Sequence, residues 1–598
     1  MSLSNALQIG RSALSASQLA IQVAGNNVAN AATRGYSRQD VAMRSISDSR
    51  TGGNFIGRGV EVQTIRRQVD AALQQRLLGG VSAEAAATSD LQQLSSVEAT
   101  LNELDNRGLS SQLGAFFNSW SALANTPGDP ASRMLVVQQG RTLAGFVRTI
   151  RSDLETQRTA IDRDLQSLAT RVDSLLGEIA GANQSIVLAE GGSGQANGLR
   201  DRRDALITEL SQYVDVTTVE QPSGSLDVLV GSSPVVLAGT SRGLQFSTEA
   251  AGDKTIVKIS TRDNAEQLTI RAGRIGSLLQ QRGTLVDSTL ESLDRITGQL
   301  IHQVNRAHSQ GVGGQPYTSL TGDLSFAPGD VALALNDPLN TTTSRLAIKP
   351  QSGSFSVRIR DEITGDMRTA TIRIDLDGLI AGANPTPGTS TDTSLQDIAN
   401  QISAIPNMSA TITPNGQLKI EAAAGFSVSF GDDTSGVLAT AGVNTYFTGT
   451  DASNIAVRAS LVATPSLLAT GNFVARNTPG SLPGEVTSFE GDRNDNGIAL
   501  LISGIRSKPI DALGNNTIDA SWNETVQSIA VRAAAASTAA DSATTVRESL
   551  DSQRSAIAGV SMDEEAINLL QYQRQYQASA RYISVVDDLT QTLLGLIR

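Results

Sequence analysis

One short motif in the sequence could carry covalent chemistry. Residues 239–243 read Gly-Thr-Ser-Arg-Gly, which fits a nucleophile elbow with Ser241 as the attacking hydroxyl. The elbow needs a helix after the serine, whereas the residues that follow, 244–247, predict another strand. A general base would have to be His302 or His308, the only two histidines, and both are expected at the solvated end of a helix. We therefore predict a hairpin turn here and assign no catalytic residue.

A second motif could hold a metal ion. Asp492, Asn494 and Asn496 are spaced like the first ligands of an EF-hand loop, but Ser503 stands where the bidentate glutamate is needed. The sequence has no phosphate-binding loop, no H-E-x-x-H motif and no GxGxxG after a strand. We also see no paired carboxylates that the pattern would place together. The sequence therefore predicts no metal, no cofactor and no enzymatic activity.

The composition excludes several classes of protein. The chain has 598 residues, a formal net charge of −12 and no cysteine, which excludes disulfides, thiolate metal sites and cysteine nucleophiles. An acidic balance without a basic stretch argues against nucleic-acid binding. No apolar run approaches the ~18 residues that span a bilayer, and the first residues lack the features of a secretory signal. We expect a soluble protein with several cores, exported, if at all, by another route.

Both ends of the chain carry a heptad-like pattern of large apolar side chains. The nine positions that we assign to an assembly interface are Leu7, Leu14, Ile21, Val28, Leu569, Tyr576, Ile583, Val586 and Leu593. A 3.5-residue apolar period makes a helix whose seam needs a partner, which predicts a hairpin of the two ends and packing against copies of the chain. The alternative is an amphipathic helix at each end on an ordinary core. Because the seams lack partners before assembly, we expect disordered ends in the monomer.

Periodicity between the ends predicts a mainly α fold with β-rich insertions. Pro127 and Pro130 mark the start of a long helix, helix is predicted from 274 to about 310, and Ser394-x-x-Asp397 predicts a capping box for a short helix at 395–402. The predicted segments are an N-terminal coiled-coil helix at 1–35, a helical-bundle domain at 36–320 with a small β module at about 213–272, an inserted β-rich outer domain at 321–450, a return of the helical domain at 451–559 and a C-terminal coiled-coil helix at 560–598.

The turn after the first helix resembles a known signature. Residues 25–36 are similar to the N-terminal motif of bacterial flagellar rod, hook and hook-associated proteins, and 37–39, Ser-Arg-Gln, resemble the hook-associated protein 1 family of the hook–filament junction. The motif residues are Asn26, Asn27, Asn30, Thr33, Gly35 and Tyr36. Three further stretches support the resemblance, namely Gly53 to Val60, Phe116-Phe117-x-x-Trp120 running on to Arg133, and Asp563-Glu564-Glu565 followed by 569–581.

The resemblance implies a non-enzymatic structural subunit of the bacterial flagellum that joins the hook to the filament. In this family the terminal helices form an inner coiled-coil layer around an export channel, and inserts such as 321–450 project outward. It implies self-association into a ring or short helical segment, contact with the hook protein and the adjacent junction protein, and no nucleic-acid or membrane partner. It also implies an extracellular location after chaperone-assisted flagellar type III export, without a cleaved signal peptide.

Two other functions stay open at this point. Another axial subunit, such as a hook, distal-rod or flagellin-like protein, would share the terminal signature, although 37–39 and the Phe-Phe-x-x-Trp run argue against it. An adhesin-type binding module would present the insert on a helical stalk. By resemblance, Asn26, Asn27, Asn30 and Gly35 are expected to end the first helix and to make polar contacts between subunits.

Overall fold

The chain is mainly helical, with small antiparallel sheets between the helices. The computed structural model describes residues 3–51, 54–101, 103, 108–191, 194–251, 254–346, 348–381, 386–476, 488–491 and 495–596. In chain order the helices are α1 Leu3–Ala29, α2 Ala71–Leu101, α3 Leu109–Asn125, α4 Pro130–Glu190, α5 Asn197–Ser211, α6 Gly273–Gln281, α7 Ser288–His308, α8 Thr341–Ser344, α9 Leu395–Ser403, α10 Val437–Thr440, α11 Ala459–Ala463, α12 Gly497–Gly504, α13 Ile518–Ala558 and α14 Met562–Leu596. Within the described ranges, no helix is long and apolar enough to cross a membrane.

The described strands are short and pair in antiparallel fashion, and some of the paired strands are distant from each other in the sequence. They are β1 Gln39–Ser45, β2 Ser49–Thr51, β3 Asn54–Ile56, β4 Val60–Arg67, β5 Val216–Glu220, β6 Leu226–Val230, β7 Ser233–Leu237, β8 Thr240–Ser241, β9 Leu244–Ala251, β10 Lys254–Thr261, β11 Val312–Gly313, β12 Ser319–Thr321, β13 Gly353–Asp361, β14 Met367–Ile374, β15 Leu379–Ile380, β16 Thr386–Pro387, β17 Met408–Ile412, β18 Leu418–Ala422, β19 Phe426–Gly431, β20 Phe447–Thr448, β21 Ala456–Val457, β22 Ala469–Gly471, β23 Phe473–Arg476 and β24 Ser488–Gly491. The predicted class, mainly α with β insertions, is confirmed.

The chain divides into two compact units. Unit 1 comprises Met1–Leu94, Thr159–Gly283 and Arg532–Arg598, and unit 2 comprises Ser95–Arg158 and Thr284–Val531. The finer division into five segments, with a coiled coil at the two ends, stays a prediction.

Unit 1 contains both ends of the chain. Helix α1 lies alongside α14, and the antiparallel pair β1–β4 packs on α1. Ala20 and Val23 of α1 and Val41 of β1 form a buried cluster that Tyr572 of α14 covers. The expectation of disordered ends in the monomer is therefore wrong, because each terminal helix covers part of the other's apolar seam.

The predicted β module and the long helix are both present. Strands β5 to β8 form one antiparallel sheet and β9 pairs with β10, all within 213–272. Helix α4 begins at Pro130, where Asp129 caps it by accepting hydrogen bonds from the backbone N–H groups of Ala131 and Ser132 at 3.2 and 3.0 Å. These bonds and one from the Ser132 hydroxyl lower the pKa of Asp129.

Unit 2 has an aromatic cluster and a β-rich core. Phe116 and Trp120 of α3 pack with Tyr446, and the His308 ring lies 6.3 Å from Trp120 and 5.8 Å from Tyr446 between ring centroids. A second buried cluster joins the sheets β14–β13–β19 and β12–β18–β17 to α9. The predicted capping box of α9 is confirmed, since Ser394 and Asp397 each accept a hydrogen bond from the other's backbone N–H.

Candidate functional site

Asn27, in the last turn of α1, ties the N-terminal motif to the C-terminal helix. The residue is only 1% exposed. Its Nδ2 donates to the carbonyl oxygen of Gln39 at 2.9 Å and to Oε2 of Glu565 at 3.1 Å. Its Oδ1 accepts from the backbone N–H of Gln39 at 3.0 Å and from the Tyr36 hydroxyl at 2.7 Å. The amide therefore uses both donors and both acceptor positions within one chain.

Glu565 of α14, which accepts the hydrogen bond from Asn27, also pairs with Arg38. Its carboxylate is buried, and Oε1 accepts from Nε of Arg38 at 2.8 Å, while another guanidinium nitrogen of Arg38 lies 2.7 Å from Oε2 of Glu564. The backbone N–H of Arg38 also donates to the carbonyl oxygen of Ala558 at 2.8 Å. A buried carboxylate is tolerated when it is paired and hydrogen-bonded, and here the N-terminal motif supplies both kinds of partner.

Tyr36 is held as a hydrogen-bond donor beside these groups. Gly35 precedes it at φ +84, a left-handed conformation that favours glycine. Burial raises the pKa of Tyr36 to about 12, and the carboxylates of Asp201 and Glu565 act in the same direction. The hydroxyl therefore stays protonated at neutral pH and donates to Asn27.

The remaining motif residues lie in the last turn of α1 and in the turn that follows it. Nδ2 of Asn30 donates to the backbone and side-chain oxygens of Asn26, both at 3.0 Å, and the Thr33 hydroxyl donates to Oδ1 of Asn30 at 3.3 Å. The prediction that this motif ends the first helix is confirmed, since α1 ends at Ala29. Polar contacts between subunits stay a prediction.

Small residues on α1 allow α14 to approach closely. Gly10, Ser17 and Ala24 recur every seven residues and are buried. A Cβ atom at Gly10 would lie 2.6 Å from Cγ1 of Ile583 and 3.2 Å from Cδ1 of Tyr582. A larger residue would therefore have to displace α14 side chains in a tightly packed contact.

The predicted assembly residues differ in their burial. Val586 is buried at 4% exposure, whereas Tyr576 and Leu593 are 37% and 47% exposed. The other six are half-buried, namely Leu7, Leu14, Ile21, Val28, Leu569 and Ile583. The contacts between α1 and α14 thus leave part of the heptad pattern accessible, and the role of these residues in assembly remains a prediction.

Sequence reasoning missed a second apolar face on α14, which we call the outer stripe. It consists of Ile567, Leu570, Ala578, Val585 and Leu589. The four large side chains are 53 to 65% exposed, although the helical spacing places all five on one face, away from Ile583 and Tyr572. Their spacing by three, four, seven or eight residues was the available signal.

The residues that suggested catalysis lie in structural positions. Ser241 belongs to β8 and is followed by β9 rather than a helix, and its hydroxyl accepts a hydrogen bond from the backbone N–H of Gly243 at 3.1 Å. The prediction of a solvated histidine is wrong for His308, which is fully buried. Its Nδ1 lies 2.8 Å from the carbonyl oxygen of Asn444, and its Nε2 accepts from the backbone N–H of Ala469 at 3.0 Å. Burial lowers the pKa of His308 to about 4.

Two groups of acidic residues bear on metal binding, namely the EF-hand-like motif and a cluster of three aspartates. The EF-hand-like motif begins at Asp492 and Asn494, which lie outside the described residues. The expectation that no carboxylates come together is wrong for Asp375, Asp377 and Asp392 of unit 2, because carboxylate oxygens of all three lie within 4.8 Å of one another.

Three family models match separate parts of the chain. The model of the FlgK helical domain of flagellar hook-associated proteins matches residues 94–320. The flagella basal body rod protein model matches 7–36, and the C-terminal model of flagellar basal body rod FlgEFG proteins matches 552–596. The two rod-protein matches thus fall on the termini that carry Asn27 and Glu565.

Two relatives match the chain over its full length. Flagellar hook-associated protein 1 of Salmonella typhimurium is 23% identical over 602 residues, covering 99% of this chain and 100% of that protein. The protein of that name from Escherichia coli is 22% identical over 605 residues with the same coverage. Over its full length, the chain is similar to flagellar hook-associated protein 1.

Two further comparisons concern part of the chain and the fold. The relative from Bacillus subtilis is 32% identical over 226 residues, which are 36% of this chain and 44% of that protein. The structure of the flagellar hook junction protein FlgK from Burkholderia pseudomallei shares the fold, with a TM-score of 0.50 and 14% identity over 81% of this chain and 100% of that one. The family resemblance predicted from the sequence is confirmed, and the family is one of structural flagellar proteins.

Proposed function

We propose that the chain is the structural subunit that joins the flagellar hook to the filament and that it assembles through its terminal helices. One observation carries the assembly part of this proposal. The ends of the chain are joined through Asn27 and Glu565 into a paired α1–α14 unit, and that unit leaves the outer stripe of α14 in water. A stripe of large aliphatic side chains on a long helix favours association with a further helix.

The occupant that we propose for the outer stripe is the α1–α14 pair of a neighbouring copy, so that the terminal helices form a continuous coiled-coil layer. Each half-exposed aliphatic side chain that becomes covered contributes about 1 kcal/mol. Repetition in every subunit makes this small term sufficient for a ring or a short helical segment. The half-buried heptad residues Leu7, Leu14, Ile21 and Val28 border the same layer.

The remaining parts of the proposal follow from the similarity to flagellar hook-associated protein 1. The terminal helices at 1–35 and 560–598 form the inner layer, the helical domain surrounds it, and the β-rich insert at 321–450 faces outward. The subunit contacts the hook protein and the adjacent junction protein. It reaches the outside of the cell by the flagellar type III pathway with an export chaperone, for which a chain without cysteine is suited.

A purely structural role is supported by the positions of the two residues that suggested catalysis, Ser241 and His308. Ser241 lacks the strand–helix setting of a nucleophile. His308 is buried, and both ring nitrogens are engaged by backbone groups, so it cannot act as a base on a substrate.

The outer stripe can be tested by placing a charge on it. Val585→Asp and Leu589→Asp change side chains that are 56% and 53% exposed, so the purified monomer should keep its secondary structure and thermal unfolding. Assembly requires the same side chains to leave water, where a charge is costly. We expect loss of motility in a strain that carries only the double variant, and electron micrographs should show hooks without filaments.

Ser584→Asp is the matched control. Ser584 is exposed on another face of the same helix turn, so Ser584→Asp adds one of the two charges of the double variant outside the stripe, and cells should swim normally. Normal junctions in the Val585→Asp, Leu589→Asp strain would refute assembly through the outer stripe. Failure of the Ser584→Asp strain as well would show that α14 tolerates no added charge, which also contradicts a stripe-specific interface.

A further inference from the structure

Three aspartates in the β-rich part of unit 2 converge on one point. Asp375 follows the last residue of β14, Asp377 lies in the turn before β15, and Asp392 lies two residues before Ser394, the N-cap of α9. One carboxylate oxygen from each lies within 4.8 Å of the other two. Two oxygens on opposite sides of a Ca²⁺ ion at about 2.4 Å are separated by about 4.8 Å. The three oxygens are therefore close enough to share one ion.

Asp392 supplies an independent reason to expect a ligand. The residue is 4% exposed, and its Oδ2 accepts hydrogen bonds from Nδ2 of Asn336 at 2.6 Å and from the backbone N–H of Gly378 at 3.0 Å. Its Oδ1 is buried and, within the described part of the chain, has no hydrogen-bond donor. The amide Oδ1 of Asn336 is buried without a donor in the same way. Buried oxygen atoms without a hydrogen-bond donor destabilise the folded protein unless a cation or a donor contacts them.

In the described part of the chain, the negative charge of this cluster is not balanced by ion pairs. No described lysine or arginine forms an ion pair with Asp375, Asp377 or Asp392. Three neighbouring carboxylates repel one another, more strongly where one of them is shielded from water. A bound cation would remove both the repulsion and the unsatisfied oxygens.

We propose that Asp375, Asp377 and Asp392, with Oδ1 of Asn336, form a binding site for Ca²⁺. The donor set consists of oxygen atoms alone, which suits Ca²⁺ or Mg²⁺ and not the nitrogen- and sulfur-preferring zinc. Asp375 and Asp377 are exposed, so water can complete the six to eight ligands that Ca²⁺ takes in irregular geometry. Mg²⁺ requires a near-ideal octahedron and is poorly held by such a site.

The site would link two elements of the β-rich core. Strand β14 carries the buried Ile372 and Ile374 directly before Asp375, and α9 carries the buried Leu395 and Ile398 directly after the Asp392 segment. These four side chains belong to one hydrophobic cluster. Ca²⁺ would therefore stabilise this core by fixing the end of β14 to the start of α9.

Calorimetric titration of the purified full-length chain with CaCl₂ tests the site. We expect one Ca²⁺ per chain with a dissociation constant of about 10⁻⁴ to 10⁻³ M or lower, the range of extracellular calcium modules. The Asp375→Asn, Asp377→Asn double variant should bind at least about tenfold more weakly, because it removes two charges without uncovering a buried group. Asp366→Asn is the control, since Asp366 is an exposed carboxylate of the same domain outside the cluster.

Thermal unfolding separates loss of the site from loss of the fold. In a chelator the double variant should unfold at the same temperature as the parent or higher, because the repulsion is relieved. Added Ca²⁺ should raise the unfolding temperature of the parent and of Asp366→Asn, and leave the double variant unchanged. The proposal is overturned if the parent binds no Ca²⁺ up to about 10 mM, if the double variant binds equally well, or if Mg²⁺ binds as tightly as Ca²⁺.

Discussion

At the scale of single residues, Asn27 is one of the points at which the two ends of the chain meet. The side chain fills all four of its hydrogen-bonding positions while it is 1% exposed. Its partner Glu565 lies 538 positions away in sequence. No other side chain of this size offers two donors and two acceptor positions without a charge, which explains why an asparagine can serve a strand, a tyrosine and a carboxylate together.

Replacement of Asn27 should loosen the joint between the ends. Asn27→Ala leaves the N–H of Gln39, the Tyr36 hydroxyl and Glu565 without one partner each, at a cost of about 2–3 kcal/mol. Amide hydrogen exchange at Gln39 should therefore accelerate by roughly 30- to 150-fold. Asn26→Ala is the control, because Asn26 is exposed, and it should change this rate by less than about threefold. Equal effects of both variants would contradict the special role of Asn27.

His308 makes the stability of unit 2 dependent on pH. Its pKa falls from the usual 6.5 to about 4, mainly because it is buried and also because Arg458 and Arg133 are near. Between these values the unfolded chain binds a proton that the folded unit does not. Neutral His308 therefore contributes fully to the free energy of unfolding of unit 2 above about pH 6.5. This contribution is lost as the pH falls toward 4, with a slope of about 1.4 kcal/mol per pH unit.

The slope can be measured with tryptophan fluorescence, since Trp120 and Trp522, the only tryptophans, both belong to unit 2. Burial raises the pKa values of Asp294 and Asp323, which stabilises unit 2 as the pH falls and partly masks the histidine. The parent is therefore compared with His308→Asn, in which these carboxylates are unchanged. Between pH 6 and 4.5, we expect the slope of the free energy of unfolding against pH to be smaller in the variant than in the parent by about 1.4 kcal/mol per pH unit. Parallel curves for parent and variant would exclude the assignment.

At the scale of elements, the contact between α1 and α14 depends on residue size rather than on hydrophobicity alone. The buried lane of α1 contains Gly10, Ser17 and Ala24, while α14 contributes Ile583 and Val586. Small residues on one helix allow large ones on the other to reach its backbone. At Gly10 the space is small, since a Cβ atom there would lie 2.6 Å from Cγ1 of Ile583.

Two identical substitutions in α1 separate packing from helix propensity. In Gly25→Ala the new Cβ has no described atom within 4 Å apart from the adjacent residues and backbone of its own helix, so the substitution should stabilise α1 by about 0.5–1 kcal/mol. Gly10→Ala gains the same propensity but meets Ile583, and overpacking of about 1–3 kcal/mol should leave it less stable than the parent. Hydrogen exchange of the α14 amides measures the difference. Equal stabilisation by both variants would show that α14 moves away at no cost.

At the scale of the whole molecule, exposed apolar side chains occur in two regions that we expect to differ in solvent exposure after assembly. The outer stripe of α14 is exposed along a helix that we propose to lie inside the assembly. Ile363, in the turn between β13 and β14, is 89% exposed and belongs to the insert that we propose to face outward. The first group should leave water on assembly, and the second should not.

Hydroxyl-radical footprinting of monomers and of isolated flagella distinguishes these fates. Leu570, Val585 and Leu589 should react in the monomer and become protected by about tenfold or more in flagella, because burial removes access to solvent. Ile363 should react equally in both states and serves as the internal control. Unchanged reactivity of the outer stripe in flagella would mean that another surface forms the layer.

The sequence by itself determined the features that depend on near neighbours. Helices α1, α4 and α14, the capping box at Ser394 and the turn at 25–36 follow from periodicity, capping and turn residues, each of which acts over a few positions. The heptad positions at both ends also predict that the ends need partners. These signals, with the resemblance that they carry, were sufficient for the family and the structural role.

Tertiary structure decided which groups meet and which are buried. Asn27 and Glu565 are joined across almost the whole chain, and Asp392 reaches Asp375 because α9 packs beside β14. His308 ends a helix, as predicted, but Asn444 and Ala469 enclose it. Burial and pairing depend on residues that are distant in sequence, which periodicity does not encode. The physical reason is that helices form from local bonds, whereas sites form from packing.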